Sequence, residues 1–181
     1  LPQTAEEIAD VVKLCRQEEI PWYIVGNGSN LLVADEGVRG VVIQLLRNFN
    51  QIQVEGCQIR MQAGAQNAAV AKRALDASLT GFEFAAGIPG TIGGAVVLNA
   101  GAYGGEMKDI LKEVTVLDQN GMIRTIPAEE LELGYRTSII ARKGYVVLEA
   151  VIVLKTGDPK EIKAAMDDLK EKRVTKQPLE Y

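Results

Sequence analysis

Residues 87–104 read GIPGTIGGAVVLNAGAYG. Six of the chain's 18 glycines fall in this stretch, and no residue from Phe84 to Gly105 is charged. A segment so poor in side chains leaves backbone N–H groups able to close on a flat or phosphorylated ligand. Thr91 and Asn99 add polar groups that a merely close-packed glycine segment would leave unsatisfied. A second cluster, Gly26-Asn27-Gly28-Ser29-Asn30, follows the apolar run 22–25. Two such loops in one small chain point to a large cofactor gripped from two sides.

Neither loop carries a common phosphate fingerprint. No Gly-Lys-Ser/Thr follows Gly26, and a Gly-x-Gly-x-x-Gly pattern would need glycine at Leu31. Spacing alone leaves open whether 26–30 is an anion-binding nest or only a turn between strands. Asn27-Gly28-Ser29 also matches a glycosylation sequon, a chance match in a chain with no visible secretory signal.

The 181 residues suffice for one cored domain or two small lobes. Apolar content of 47%, charged content of 24% and a net charge of −4 are ordinary for a globular protein. No basic tract stands out, so nucleic acid is not an expected partner. Histidine is absent, which removes Ser-His-Asp and Cys-His catalysis, most zinc sites and histidyl attachment of a flavin. No metal site is expected. Cys15 and Cys57 read as small core residues in a reducing compartment. The uncharged stretch 84–105 is no membrane span, because it holds seven glycines, Pro89 and Asn99.

Periodicity supplies the elements. Thr4 to Glu7 is a capping box that opens a helix of about 15 residues, with Ile8, Val11, Val12 and Cys15 on one face. Strands are expected at 22–25 and 41–45, and 31–33 is again apolar. A hairpin over 52–63 turns at Glu55-Gly56. A helix over 66–77 turns Val70, Ala71, Ala74 and Leu75 inward. Asn120-Gly121 predicts a type I′ turn between strands 113–118 and 122–126. The apolar run 145–154 reads as a central strand. Asp158-Pro159 caps a last helix that buries Ile162, Ala165, Met166 and Leu169. This order favours an α+β fold over a doubly wound parallel sheet.

GNGSNLLV at 26–33, GIPGTIGGA at 87–95, NAGAYG at 99–104 and YRTS at 135–138 occur in that order. Together they resemble the UDP-N-acetylenolpyruvoylglucosamine reductase family of bacterial peptidoglycan synthesis, over essentially the whole chain. The resemblance implies the two-subdomain FAD-binding fold of the vanillyl-alcohol oxidase (PCMH) type, with subdomains at about 1–46 and 47–181. Residues 176–181 resemble the linker that ends the family's flavin-binding region. A C-terminal substrate-binding domain is then expected to lie outside this chain.

The resemblance also implies noncovalent FAD and NADPH as co-substrate. Cofactor contacts are implied at Gly26, Asn27, Gly28, Ser29, Asn30 and Leu31, and at Gly64 and Ala65. Further contacts are implied at Gly87, Ile88, Pro89, Gly90, Thr91, Ile92, Gly93, Gly94 and Ala95, at Asn99, Gly101 and Gly104, and at Val151. Arg136 matches the family's catalytic arginine, with Tyr135 beside it as a substrate neighbour or scaffold. A guanidinium suits an enolate-like charge on a substrate carboxylate, because it stays charged and binds through two parallel bonds.

The family's proton-donating serine and assisting glutamate belong to the missing domain, and Ser138 is not that serine. The chain alone is therefore expected to bind FAD without turnover. The implied substrate is a UDP-sugar, and the implied setting is the cytoplasm, in cell-wall biogenesis, cell shape and division. The competing readings are another flavin oxidase of the same fold and a noncatalytic FAD-binding module.

Overall fold

A computed structural model describes residues 1–176. Helix α1 (Ala5–Gln17) starts where Thr4 Oγ1 accepts the Glu7 N–H at 3.1 Å, as the capping residues require. It buries Ile8, Val12 and Cys15, while Val11 stays exposed on its flank. Strands β1 (Trp22–Val25) and β2 (Val41–Gln44) form a parallel pair, and the chain between them makes the first glycine loop. Leu31, Leu32 and Val33, expected to resume apolar structure, lie exposed in that irregular connection.

The main sheet is five-stranded and antiparallel. It uses β3 (Ile52–Glu55), β4 (Gln58–Gln62), β8 (Leu111–Leu117), β9 (Ile123–Pro127) and β10 (Val146–Val153), in the order β3-β4-β10-β8-β9. The apolar run in β10 explains its central place: Val146, Val147, Leu148, Ala150, Val151 and Ile152 are all buried. Helix α2 (Asn67–Asp76) turns Val70, Ala71 and Ala74 inward and leaves Leu75 half-buried. The short antiparallel pairs β5 (Leu79–Thr80) with β11 (Lys155–Thr156), and β6 (Gly101–Ala102) with β7 (Gly105–Glu106), sit outside the main sheet.

Helix α3 (Ile92–Val97), built from the glycine-rich stretch, packs against β10. Ile92 and Val96 are fully buried there, each worth roughly 1.5–3 kcal/mol of transfer free energy. Helix α4 (Ile139–Lys143) precedes β10, and α5 (Pro159–Lys176) packs on α2 and on the turn 83–85.

The α+β architecture with antiparallel sheet matches expectation; several local readings need correction. Cys57 is exposed, because the β3–β4 turn falls on Gly56-Cys57 rather than Glu55-Gly56. Of the two, only Gly56 has positive φ, at 59°, the pattern of a type II′ turn. The β8–β9 connection is not type I′. Positive φ falls on Gly121 alone, and the Gly121 N–H reaches Asp118 O at 3.0 Å, which is a type I turn followed by a glycine bulge. Asp118 decides this, since its Oδ1 accepts from the N–H groups of Asn120 at 2.8 Å and Met122 at 3.0 Å. Those bonds, Met122 first, hold the Asp118 carboxyl below the usual range, with Arg124 nearby assisting.

On α5, Asp158 Oδ1 accepts the Lys160 N–H at 2.8 Å, as an N-cap should. Ile162 is buried, Met166 and Leu169 are half-buried, and Ala165 is exposed. The packed stripe on this peripheral helix is one side chain narrower than its periodicity predicts. Of the linker-like residues 176–181, those after Lys176 lie outside the described residues.

Candidate functional site

A cleft of about 780 Å³ opens between the first glycine loop and the second, within the size range of small-molecule sites. The sequence-expected residues that line it are Gly26 to Leu31, Ile88 to Thr91, Gly93 to Ala95, and Arg136. Arg136 is the one charged residue among the described lining residues. No carboxylate stands among the described lining residues, so an anionic ligand meets no like charge there.

The two loops touch. A Cβ on Gly26 would sit 2.3 Å from Thr91 Oγ1, and a Cβ on Gly90 would sit 3.1 Å from Ser29 Oγ. Gly26 is thus required by the approach of the opposite wall. Among the described residues, the N–H groups of Asn27, Gly28, Ser29 and Asn30 donate to no protein acceptor. Gly28, at φ 73°, supplies the left-handed residue that turns such amides to one side.

Asn67 was not foreseen. It is 1% exposed and lines the cleft. Its Nδ2 donates to Ile88 O at 3.2 Å, while its Oδ1 has no partner. An orphaned buried acceptor costs about 1–3 kcal/mol, and a ligand donor in the cleft is the natural source of compensation. Unpaired amides, an orphan acceptor, a close-approach glycine and a lone cation suit a nucleotide carrying a diphosphate and hydroxyls. These residues therefore fit FAD. The sequence signal for Asn67 was a single polar residue opening an otherwise apolar helix face.

Other expected contacts stand elsewhere. The Gly64 N–H donates to Phe49 O at 2.9 Å, and Ala65 O accepts from Ile92 at 2.8 Å; both residues brace the sheet behind the cleft. Gly87 faces the Arg173 side chain, and Ile92 is in the core. Gly101 lies in β6, and Gly104 lies in the open turn after it. Asn99 is buried, with its amide engaged inside the protein. Val151 is buried in mid-strand, whereas β10 borders the cleft through Val146 and Val147, next to Tyr145. Tyr135 is 92% exposed, outside the cleft, with the Arg136 guanidinium 5.9 Å from its ring centre.

Among the described residues no group of His, Cys, Asp or Glu could hold a metal ion. No helix among them is long and apolar enough to cross a membrane.

The family profile described as FAD binding domain matches residues 1–127. The UDP-N-acetylenolpyruvoylglucosamine reductase of Alkaliphilus metalliredigens is 51% identical over 179 residues, covering 99% of this chain and 59% of the relative. The reductase of the same name from Geobacillus thermodenitrificans is 52% identical over 180 residues, with the same coverages. The chain thus spans 59% of the length of these curated relatives. The crystal structure of UDP-N-acetylenolpyruvylglucosamine reductase from Thermus caldophilus superposes with a TM-score of 0.79 at 38% identity, over 92% of this chain and 60% of that one. An alkyldihydroxyacetonephosphate synthase shares the fold at a TM-score of 0.58 and 18% identity, over 86% of this chain and 31% of that one.

Proposed function

This chain belongs to the FAD binding domain family, and from that premise we propose that it is the flavin-binding part of a UDP-N-acetylenolpyruvoylglucosamine reductase. The proposed subdomains are residues 1–46 and 47–181. The proposed reaction converts the enolpyruvyl ether of UDP-N-acetylglucosamine to UDP-N-acetylmuramate with NADPH, in the cytoplasm, for peptidoglycan synthesis. The likeness to relatives of that name supports this reading. The observation that carries it is the meeting of two glycine loops, Gly26 against Thr91, around a cleft with an orphan acceptor and one cation.

FAD, when bound, supplies hydride-transfer chemistry. The free amides of Asn27 to Asn30 hold its diphosphate, and Gly90, Thr91 and Gly93 to Ala95 form the opposite wall. Val146, Val147 and Ile140 give the cleft an apolar face. Arg136 binds the substrate carboxylate and stabilises the negative charge that builds beside it when a hydride adds to the enolpyruvyl double bond.

The proton that completes the reduction comes, on this reading, from a serine assisted by a glutamate. Both are placed in the part of the relatives that this chain does not span. The chain alone then binds FAD without turnover. The reading includes no nucleic-acid or membrane partner, in keeping with a net charge of −4.

The test is an absorbance spectrum from 300 to 550 nm, taken before and after denaturation and filtration. A flavin band that passes the filter only after denaturation supports noncovalent FAD. No band after addition of excess FAD, or a band that never leaves the protein, refutes the reading. Substrate-dependent NADPH oxidation by the chain alone would refute the placement of the proton donor.

A further inference from the structure

Arg136 sits in a two-residue turn whose ends are locked. The Gly134 N–H donates to Thr137 O at 3.1 Å, and the Thr137 N–H donates to Gly134 O at 3.3 Å. Of the two residues at the tip, only Arg136 has positive φ, at 55°. That is the pattern of a type II turn, which normally puts glycine or asparagine there. An arginine in this conformation is strained, and such strain persists only where the surroundings over-determine it. Those two bonds close the turn, but Tyr135 and Arg136 are both exposed, so no packing at the tip holds Arg136 in this conformation.

The surroundings supply it from both sides. Before the turn, Asn99 Nδ2 donates to Gly134 O at 3.2 Å and to Glu106 Oε2 at 2.6 Å, while Asn99 Oδ1 accepts the Lys108 N–H at 2.9 Å. The Lys108 ammonium and the Asn99 amide hold the Glu106 carboxyl below its usual range, so it stays an acceptor. Asn99 is 3% exposed and itself has φ 43°, which asparagine tolerates better than most residues. After the turn, the fully buried Ser138 donates to Val97 O at 2.7 Å and accepts the Ala141 N–H at 3.2 Å. Val97 and Asn99 flank the end of α3. The turn is therefore tied at both ends to the segment that forms one wall of the cleft.

We propose that Asn99 and Ser138 are positioning residues that clamp the Tyr135-Arg136 turn in its strained form, and so hold the Arg136 guanidinium at the cleft. Asn99 on this account touches no cofactor. The value of the clamp rests on the role proposed for Arg136, but the clamp itself can be read without activity.

The experiment compares trypsin cleavage after Arg136 with cleavage after Arg39, an exposed residue in the connection between β1 and β2, in this chain and in its Asn99→Gly, Ser138→Ala and Ser138→Thr variants. Glycine keeps the positive φ at 99 and removes only the side chain. FAD affinity is measured in parallel by fluorescence titration. Asn99→Gly and Ser138→Ala should raise the 136-to-39 cleavage ratio about tenfold, equivalent to about 1.4 kcal/mol of lost restraint. Ser138→Thr, which keeps the hydroxyl, should restore the parent ratio, and FAD affinity should stay within twofold throughout. A ratio unchanged in both deletion variants overturns the clamp. A tenfold loss of FAD affinity in Asn99→Gly with an unmoved ratio overturns it too, and makes Asn99 a cofactor contact. Failure of the reductase reading would appear separately, as a chain that takes up no FAD while the cleavage ratios still respond.

Discussion

Gly26→Ala is the sharpest probe of the cleft. The new Cβ would lie 2.3 Å from Thr91 Oγ1, 3.2 Å from its Cγ2 and 3.3 Å from its Cβ. Turning the Thr91 Cβ hydrogen toward Gly26 relieves the shortest contact, but the new Cβ still lies 3.3 Å from Thr91 Cβ, which no rotamer changes. One wall has to move. Thr91 is buried, its carbonyl accepts the Ala95 N–H at 2.9 Å, and the next residue is tied to Ala65. The loop 27–30 is exposed on its outer side and yields first. Overpacking of this kind costs about 1–3 kcal/mol. Here that cost falls on the nest proposed to bind the diphosphate, and it corresponds to roughly a 5- to 150-fold weaker FAD affinity.

Fluorescence titration with FAD measures this loss, and thermal unfolding without FAD serves as the control. The melting temperature should move by no more than about 2 °C, as for a surface change. Thr91→Ala removes the two nearest atoms, so in that background the Gly26→Ala penalty should shrink to about threefold or less. Gly26→Ala binding FAD within twofold of the parent, or a penalty equally large in both backgrounds, would refute the reasoning.

Three further outcomes are expected. Asp118→Asn should lower the melting temperature at pH 7. The Asp118 carboxyl is depressed in the folded state, so its contribution is present above the unfolded value and lost as pH falls through the folded one; the gap between variant and parent should close in acid, and a gap constant with pH would count against this. Gly64→Ala places a Cβ 2.4 Å from Phe49 O and 2.8 Å from Leu46 N, backbone atoms that cannot rotate away. It should cost about 1–3 kcal/mol and lower the melting temperature, at about 2–4 °C per kcal/mol, whether or not FAD is added. Iodoacetamide followed by mass spectrometry should modify the exposed Cys57 and spare the buried Cys15 until the chain is unfolded; equal labelling in the native protein would contradict the packing of α1.

Much of the fold was legible because it is written in local chemistry. Thr4 and Asp158 cap helices through their own side chains, and the apolar run of β10, interrupted only by Glu149, has no place but the middle of a sheet. Local readings failed where a neighbour outcompeted propensity. Asn120-Gly121 favours one turn by itself, but the Asp118 carboxylate two residues earlier imposes another. Cys57 reads as apolar, yet the turn carries it to the surface.

The sequence by itself singled out two glycine loops as stretches of bare backbone, and the structure brings them together around one cleft. It also singled out Arg136, through a motif whose neighbours recur in one family. Only the tertiary structure decided which residues reach the cleft. It gave Asn67 an unpaired buried oxygen there, engaged the Asn99 amide within the protein, and moved the bordering part of β10 from Val151 to its first residues. Spacing records which side chains share a strand or helix face. Whether a polar atom ends bonded or free depends on partners distant in the chain, as Gly134 is from Asn99, and those partners meet only when the fold closes.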